Sequence, residues 1–387
     1  MTLTRIQRAA QVAGKSLAGR DTPFIFNEWY VAALSREVSR EPLARTILGK
    51  TLVFYRKQDG GPVALSNRCA HRSFPLDKGT LVGDHLVCGY HGMRYNELGE
   101  VIEVPSQASC GGISIRHYPL VEMGPVIWIW MGQPEQADPA TIPEMPMLED
   151  GWVTSEDYMD LKANYVYLHE NLLDLTHLSF LHANTFGTPD YARADFDVQI
   201  SDTRMWLKRY VMPTRLPPVW AKPTRLEGKD AARITTSDFV SPALHIVHAE
   251  FYDLALAESE RPDQRIKTAH IPTPSTATET HYFVVHGRNF ALEEGDVTDF
   301  MHQQLMAAFQ EDVVGLQQQE ILMAAEMDDN YFEISVKSDA ASVAMRRYLK
   351  RRANEEEGLI TTDAPASSAA PTAPAAPATV GNIPVPV

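Results

Sequence analysis

Two short motifs in the first third of the chain each pair a cysteine with a histidine: Cys69-Ala-His71 and, after sixteen intervening residues, Cys88-Gly-Tyr-His91. Four such side chains can hold a structural zinc ion of the Cys2His2 type. They can also hold a [2Fe–2S] cluster, with two thiolates on one iron and two imidazoles on the other. Zinc sites more often place two cysteines in one motif and two histidines in another. Because each motif here supplies one of each, the pattern favours the cluster.

The sequence around these motifs predicts a small antiparallel β domain. Short β-prone runs occur at 28–32, 51–55 and 63–65, separated by Gly, Pro and Asp. The third cysteine, Cys110, has no partner motif, and three cysteines in 387 residues cannot form a disulfide framework. We therefore expect a reducing, cytoplasmic environment for the protein.

A second metal pattern lies at 171–182, where Asp174, His177 and His182 interrupt an apolar, helix-prone stretch. Asp174 and His177 would lie about 60° apart on a helix and could touch, whereas His177 and His182 would lie about 140° apart. Both imidazoles can reach one metal only if the helix ends or bulges between them, and the following Ala-Asn-Thr-Phe-Gly at 183–187 is typical of a helix stop. Two imidazoles and a carboxylate from elsewhere would form the facial triad of non-haem Fe(II) oxygenases. The alternative is a pair of packed or capping histidines.

The third ligand has to come from another part of the chain. Residues 298–327 are strongly helical in pattern and carry two adjacent carboxylates, Glu311 and Asp312, among apolar neighbours. From the residues alone, either of them could bind the metal, or both could be surface groups.

Composition excludes several other classes of protein. The net charge of −15 argues against a nucleic-acid-binding surface. There is no run of 18 apolar residues, so we expect no membrane-spanning segment. We divide the chain into an N-terminal segment at 1–23, the β domain at 24–134, a second domain at 135–357 and an Ala/Pro-rich tail at 358–387 that we expect to be disordered.

Over residues 24–350 the chain resembles the Rieske non-haem iron oxygenases, in their terminal oxygenase α subunits. It looks most similar to the vanillate O-demethylase and dicamba monooxygenase group. Besides the two metal patterns, the resemblance rests on Tyr118-Pro-Leu, on the 124–130 run Gly-Pro-Val-Ile-Trp-Ile-Trp, on His270-Ile-Pro-Thr-Pro and on Glu311-Asp312. One departure is Met93, where the family usually has Trp.

The resemblance implies an α+β fold, in which an all-β Rieske domain precedes a START-like helix-grip domain with an antiparallel sheet around a long C-terminal helix. It implies that Cys69, His71, Cys88 and His91 bind the [2Fe–2S] cluster. It further implies that Asp312 joins His177 and His182 in binding a mononuclear Fe2+.

The same resemblance implies how the protein works with others. Asp174 would orient His177 and link it to His91 of the partner subunit in a homotrimer. Electrons would come from NAD(P)H through a reductase and a ferredoxin.

The implied reaction is the O- or N-demethylation (dealkylation) or hydroxylation of a small aromatic compound with O2, in a bacterial degradation pathway. Three polar residues fall at positions that resemble the family's substrate pocket, namely His245, His270 and Gln303. They favour a substrate with a hydrogen-bonding group at the end away from the iron. The alternatives are a ring-hydroxylating dioxygenase that forms a cis-diol and, from a different class, a Rieske electron carrier with a ligand-binding domain.

Overall fold

The computed structural model describes residues 3–326 and 333–362. The helices within these residues are α1 (Arg5–Gly14), α2 (Tyr165–Leu173), α3 (Pro218–Thr224), α4 (Gly295–Glu326) and α5 (Ala340–Thr362). The strands of the first domain are β1 (Trp29–Leu34), β2 (Leu43–Ile47), β3 (Lys50–Arg56), β4 (Pro62–Ser66), β5 (Thr80–Val82), β6 (His85–Val87), β7 (Arg94–Tyr95), β8 (Val101–Glu103), β9 (Leu120–Met123) and β10 (Val126–Trp130). The strands of the second domain are β11 (Val153–Leu161), β12 (Asp195–Ile200), β13 (Met205–Thr214), β14 (Ala231–Ser241), β15 (Leu244–Asp253), β16 (Arg265–Thr276) and β17 (Glu279–Arg288).

The first domain consists of three small antiparallel sheets, in the orders β1-β10-β9, β2-β3-β4 and β5-β6-β7-β8. The Cys69 motif lies in the loop after β4, and the Cys88 motif lies in the loop after β6. Cys69 and Cys88 are buried in one apolar cluster with residues of β3, β4, β6 and β7. The sheets thus hold two separate loops next to each other, as a four-ligand site requires.

The second domain is built on a seven-stranded antiparallel sheet in the order β11-β17-β16-β15-β14-β13-β12. The long helix α4 packs against one face of this sheet, and α2 and α3 contribute to the same apolar core. The predicted α+β fold, with a sheet around a long C-terminal helix, is confirmed. Helix α4 begins three residues before the predicted 298, and the described part of it ends at Glu326.

The interior strand β16 is buried on both faces, which explains its unbroken buried run from Thr268 to Ser275. Because side chains alternate along a strand, Ala269 and Ile271 point away from α4. There they pack with Trp29 and Trp128 of the first domain in a shared apolar core. The two domains therefore stabilise each other through the outer face of the large sheet.

The chain ends differ from expectation in one respect. Helix α5 continues to Thr362, past the predicted tail boundary at 358. The rest of the Ala/Pro-rich tail, residues 363–387, lies outside the described residues, so its predicted disorder stays a prediction. Among the helices described, none combines the length and the apolar character needed to cross a membrane.

Candidate metal centres and substrate cavity

The helix that carries the second metal pattern ends earlier than its sequence suggests. Asn164 caps α2 at its start, and the helix stops at Leu173. The carboxylate of Asp174 then accepts the backbone N–H of Thr176 at 3.0 Å and begins a short 3₁₀ segment, Leu175–Ser179. This break, followed by turns up to Gly187, is the departure from a regular helix that His177 and His182 need in order to approach each other.

Gly187 fixes the far end of this turn. A Cβ atom at that position would lie 1.6 Å from the carbonyl oxygen of Leu178, so a larger residue could not occupy it without moving the backbone. The predicted helix stop at 183–187 is thus a close approach of two backbone segments. It brings the ring centroids of His177 and His182 to within 5.1 Å.

Asp312 of α4 completes the group. In the described part of the chain, His177, His182 and Asp312 form one set whose ligand atoms all lie within 4.8 Å of one another. Asp312 Oδ1 lies 3.1 Å from His182 Nε2 and 3.6 Å from His177 Nε2. His182 and Asp312 are almost completely buried, whereas His177 retains some exposure. The residues predicted as iron ligands are therefore brought together.

The Nδ1 nitrogen of each imidazole is anchored by an acceptor. His182 Nδ1–H donates to Glu311 Oε2 at 2.7 Å, and Thr185 Oγ1 donates to the same oxygen at 2.8 Å. His177 Nδ1–H donates to the backbone carbonyl of Asp174. Both rings thus turn Nε2 toward Asp312, in the arrangement of a metal-binding histidine held by a hydrogen-bond acceptor. Glu311, the alternative ligand, contacts His182 from the other side.

Asp174 orients His177 through its main chain, which differs from the expected role of its carboxylate. That carboxylate caps Thr176 and lies 4.0 Å from the guanidinium of Arg209. About a third of the Asp174 side chain is exposed, so it remains available to a group outside the chain.

The electrostatics of the site suit a divalent cation. Burial lowers the pKa of His177 and so favours the neutral imidazole that binds metals. Burial alone would also lower the pKa of His182, but its hydrogen bond to Asp312 and the charges of Asp312 and Glu311 raise it, so a bound cation would take the place of the proton on Nε2. Burial alone would raise the pKa of Asp312, yet the hydrogen bond from His182 and the adjacent imidazoles lower it. Two imidazoles and an ionised carboxylate are the donor set of a mononuclear Fe(II) site.

Asn171 is a residue of this site that was not predicted. Its Nδ2 donates to Asp312 Oδ1 at 3.1 Å, which holds the carboxylate from the side of α2. The signal was present in the sequence, because Asn171 lies two turns of helix after its N-cap and faces α4, but only the tertiary packing shows its partner.

The two Cys/His motifs form the other site. The rings of His71 and His91 lie 4.6 Å apart between centroids and are exposed, whereas Cys69 and Cys88 are buried beneath them. Among the described residues, these four do not form a recognised single-ion group like that of His177, His182 and Asp312. The two imidazoles are neighbours and the two thiols are neighbours, which is the pairing of a cluster with two imidazoles on one iron and two thiolates on the other.

Polar contacts around the buried sulfurs fit the cluster as well. The hydroxyl of Tyr95 lies 3.2 Å from Cys69 Sγ and also accepts the backbone N–H of Ala70. Such hydrogen bonds to a cluster sulfur tune its reduction potential. Met93, the residue that departs from the family pattern, is buried against the same hydroxyl at 3.0 Å and does not displace any of the four ligands.

A cavity adjoins the mononuclear site, and the centres of water-sized spheres can occupy about 50 Å³ of it. His177 and Asp312 form part of its wall, and the remainder is largely aliphatic and aromatic. On α4, the cavity-lining residues Leu305, Phe309 and Asp312 recur every three to four positions and share one face. Phe186 stacks on the ring of His182 at 4.4 Å between centroids and lines the cavity too.

Of the three residues predicted for the substrate pocket, the structure brings His270 to this cavity. His245 is on the same face of β15 as the lining residues Val247 and Ala249, but it lies beyond the cavity, bonded to Ser237 at 2.7 Å and beside His169 of α2. Gln303 is exposed because it is two positions from Leu305 and points away from the sheet. Neither His245 nor Gln303 is among the residues that line the cavity.

Comparison with known proteins identifies a family for each of the two domains. The Rieske [2Fe–2S] domain family matches residues 28–119, and the vanillate O-demethylase oxygenase C-terminal domain family matches residues 161–355. The iron–sulfur subunit of the toluene-4-sulfonate monooxygenase system of Comamonas testosteroni is 32% identical, over 87% of this chain and 99% of its own length. The oxygenase component of dicamba O-demethylase from Stenotrophomonas maltophilia is 33% identical, over 75% of this chain and 86% of its own.

Solved structures show the same architecture. The crystal structure of dicamba monooxygenase bound to 3,6-dichlorosalicylic acid superposes with a TM-score of 0.82 and 28% identity, covering 87% of this chain and 99% of that one. Another structure of the same enzyme, with non-heme iron and dicamba, superposes with a TM-score of 0.75 and 27% identity, over the same shares of the two chains.

The fold and the two sites define a Rieske-type oxygenase component, an oxidoreductase with a [2Fe–2S] cluster and a mononuclear iron. The chain belongs to the Rieske non-haem iron oxygenases with a C-terminal domain of the vanillate O-demethylase oxygenase type. His177, His182 and Asp312 are the residues that would hold the mononuclear iron, and Cys69, His71, Cys88 and His91 are those that would hold the cluster.

Proposed function

We propose that this protein is the oxygenase component of a multicomponent monooxygenase that O- or N-dealkylates, or hydroxylates, a small aromatic compound in a bacterial degradation pathway. One observation carries the proposal. A buried cavity walled by aromatic and aliphatic side chains reaches two residues of the mononuclear site, His177 and Asp312. A substrate in this cavity is held next to the metal ligands and away from bulk water.

The chain's contribution to this reaction is binding and exclusion of water. Phe186, Trp220 and Phe309 offer faces and edges on which an aromatic ring can pack. When bound, the iron supplies the reaction with O2. One oxygen atom enters the substrate and the other leaves as water, with two electrons from NAD(P)H and two protons. Hydroxylation of an O- or N-methyl group gives a hemiacetal or carbinolamine, which releases formaldehyde.

The electron supply is part of the same proposal: a ferredoxin and an NAD(P)H-dependent reductase reduce the cluster, and a homotrimer passes the electron between subunits. Exposure of the His71 and His91 rings supports it, because electrons can then leave at the surface. Asp174 is partly exposed beside His177, where it could meet His91 of the partner subunit. Exposed apolar side chains nearby, Phe180 at 74% and Leu322 at 61%, are of the kind that subunit contacts cover. The three unpaired cysteines favour the reducing cytoplasm.

The test uses the purified, iron-loaded protein with a surrogate ferredoxin and reductase and a panel of methoxy- and N-alkyl-aromatic compounds. We expect formaldehyde, or the matching aldehyde, together with the dealkylated product, and incorporation of one oxygen atom from labelled O2. Asp312→Ala is the control, since it should keep the cluster and lose the product.

Other outcomes would identify the alternatives. Two labelled oxygen atoms in a ring diol would identify a dioxygenase. A protein that holds two irons per chain instead of three and forms no product would be an electron carrier.

A further inference from the structure

One wall of the substrate cavity carries a buried cation. Arg233 on β14 lines the cavity together with His177 and Asp312, and only 3% of its surface is exposed. Its Nη1 donates to the backbone carbonyl of Phe186 at 2.8 Å, and its Nε has no hydrogen-bond partner. Asp190 is the carboxylate whose charge acts on Arg233, but the two form no ion pair within 4.0 Å among the described residues.

Two further polar side chains on the cavity wall are unpaired. Thr235 Oγ1 and Trp220 Nε1 have no hydrogen-bond partner, although these residues are 1% and 2% exposed. Arg233 and Thr235 face the cavity together because side chains two positions apart share one face of a strand. Native proteins leave few buried polar groups unpaired, so a set of donors on one cavity indicates the place of a ligand group.

The charge on Arg233 is only partly compensated within the chain. Its guanidinium carbon lies 4.9 Å from the ring centroid of Tyr191, 5.5 Å from Trp220 and 5.9 Å from Phe186, and such contacts offset part of the cost of burial. Burial nevertheless lowers the pKa of Arg233, in keeping with a cation that has no close counter-ion. An arginine stays protonated under these conditions, so the cavity keeps a positive charge.

The other ring nitrogens and hydroxyls of the wall do not provide an equivalent group. Burial lowers the pKa of His270 to about 3, so this imidazole is neutral, and its Nδ1 is already bonded to the hydroxyl of Tyr282. Thr268 is bonded to His286 at 2.8 Å. Among the described residues that line the cavity, Arg233 is therefore the permanent cation.

We propose that Arg233, with Thr235 and Trp220 beside it, binds an anionic carboxylate or sulfonate group of the substrate. This makes Arg233 a specificity-determining residue that selects aromatic acids over neutral arenes. The guanidinium fork suits either oxyanion, because both present oxygens that can accept two parallel N–H bonds. That the ligand is an aromatic substrate rests on the proposed function. That it carries an anionic group rests on Arg233.

One small molecule can reach both Arg233 and the metal ligands. The ring centroid of His182 lies 4.4 Å from that of Phe186, which lies 5.9 Å from the Arg233 guanidinium carbon, so His182 and the guanidinium are at most about 10.3 Å apart. Arg233, His177 and Asp312 also line the same cavity, so an aromatic acid held at Arg233 lies in the space that the metal ligands border.

The test compares matched acids and amides on the iron-loaded protein: 4-methoxybenzoate with 4-methoxybenzamide, and toluene-4-sulfonate with toluene-4-sulfonamide. Isothermal titration calorimetry measures binding without turnover, and aldehyde and product analysis follows turnover separately. We expect at least one acid to bind about 10-fold or more tighter than its amide, as a charged hydrogen bond requires. The pair that shows the difference identifies carboxylate or sulfonate as the group.

Variants separate anion binding from a structural role. Arg233→Met should weaken acid binding about 10- to 100-fold and leave amide binding nearly unchanged, while Arg233→Lys keeps part of the acid preference. Thr235→Val should weaken acid binding about 5-fold. Arg288→Met is the matched control, because Arg288 is equally buried but bonds to backbone carbonyls near the start of α4 and does not line the cavity. It should leave the acid-to-amide ratio unchanged.

Acids that bind no better than their amides, or no binding by any acid of the panel, would overturn the inference and leave water as the partner of these donors. Equal losses of binding affinity for acid and amide in both Arg233 variants would also overturn the inference, and Arg233 would then serve to hold Phe186 in place. Preferential binding of an acid without product formation would instead contradict the proposed reaction and leave the anion site standing. Equal product from neutral and acidic methoxyarenes would support the proposed reaction and contradict the anion site.

Discussion

Replacement of Glu311 tests whether this residue positions His182 or binds the iron itself. Glu311 Oε2 accepts hydrogen bonds from His182 Nδ1 and from Thr185. Loss of such a supporting group typically lowers metal affinity about 10- to 100-fold, which is about 1.4 to 2.7 kcal/mol. In Glu311→Gln the amide oxygen still accepts from His182, but the bond loses its charge, so we expect about 10-fold weaker iron binding. Glu311→Ala leaves His182 without its acceptor and should approach 100-fold.

The assay is the dissociation constant for Fe(II), measured anaerobically by competition with a chelator, with the cluster spectrum recorded on the same samples. Asp312→Ala removes a ligand and should abolish stoichiometric binding, and Gln310→Ala, exposed on the same turn of α4, is the matched control. If Glu311→Ala abolishes iron binding while Asp312→Ala retains it, Glu311 is the ligand. If neither Glu311 variant changes the affinity, Glu311 does not support His182 in binding iron.

Three further predictions concern the cluster, the subunit contact and pH. The purified protein should be brown and, after reduction, show the electron paramagnetic resonance of a Rieske centre. Cys88→Ser should remove that signal while the mononuclear iron stays. Stoichiometric zinc without the signal would contradict the cluster assignment. Asp174→Asn keeps both metal sites and should slow reoxidation of the reduced cluster by orders of magnitude in a single turnover with substrate and O2, so an unchanged rate would exclude the bridge to His91 of the partner subunit. Burial lowers the pKa of His169 to about 4. As the pH drops from 6.5 to 4, His169 therefore takes up a proton in the unfolded state but not in the folded state, so the urea concentration at the unfolding midpoint should fall. His169→Gln should reduce that fall, and an equal slope in both proteins would contradict the assigned burial.

The two histidine ligands of the mononuclear site could be predicted from the sequence because their geometry is local. The spacing of His177 and His182, with a helix stop after them, requires a broken helix, and the structure has that break. The choice between Glu311 and Asp312 was different. Adjacent helix residues point about 100° apart, so the sequence leaves both open until the position of α4 against α2 is known. Family resemblance favoured Asp312, and the contact geometry agrees.

The substrate cavity could not be predicted in the same way, because strands far apart in the sequence form its wall. His245 was expected there because its position resembles one in the family's substrate pocket. It lies on the correct face of β15, but a face does not say how far along the strand the cavity extends. Arg233 went unnoticed because a lone arginine in a strand usually reaches solvent. Its significance depends on the absence of an ion-pair partner within the described residues, which only a folded chain can show.

Strand β16 links these features. Its even-numbered residues Thr268 and His270 face the cavity, and its odd-numbered residues Ala269 and Ile271 pack on the first domain. A shift of one residue in its pairing would reverse both faces at once and place a histidine in the apolar core between the domains. The register that fixes the cavity wall is therefore the same register that fixes the Rieske domain on the sheet. In this chain, the position of the cluster domain and the shape of the substrate cavity depend on one strand, so substitutions at its apolar face should alter substrate binding without touching the substrate.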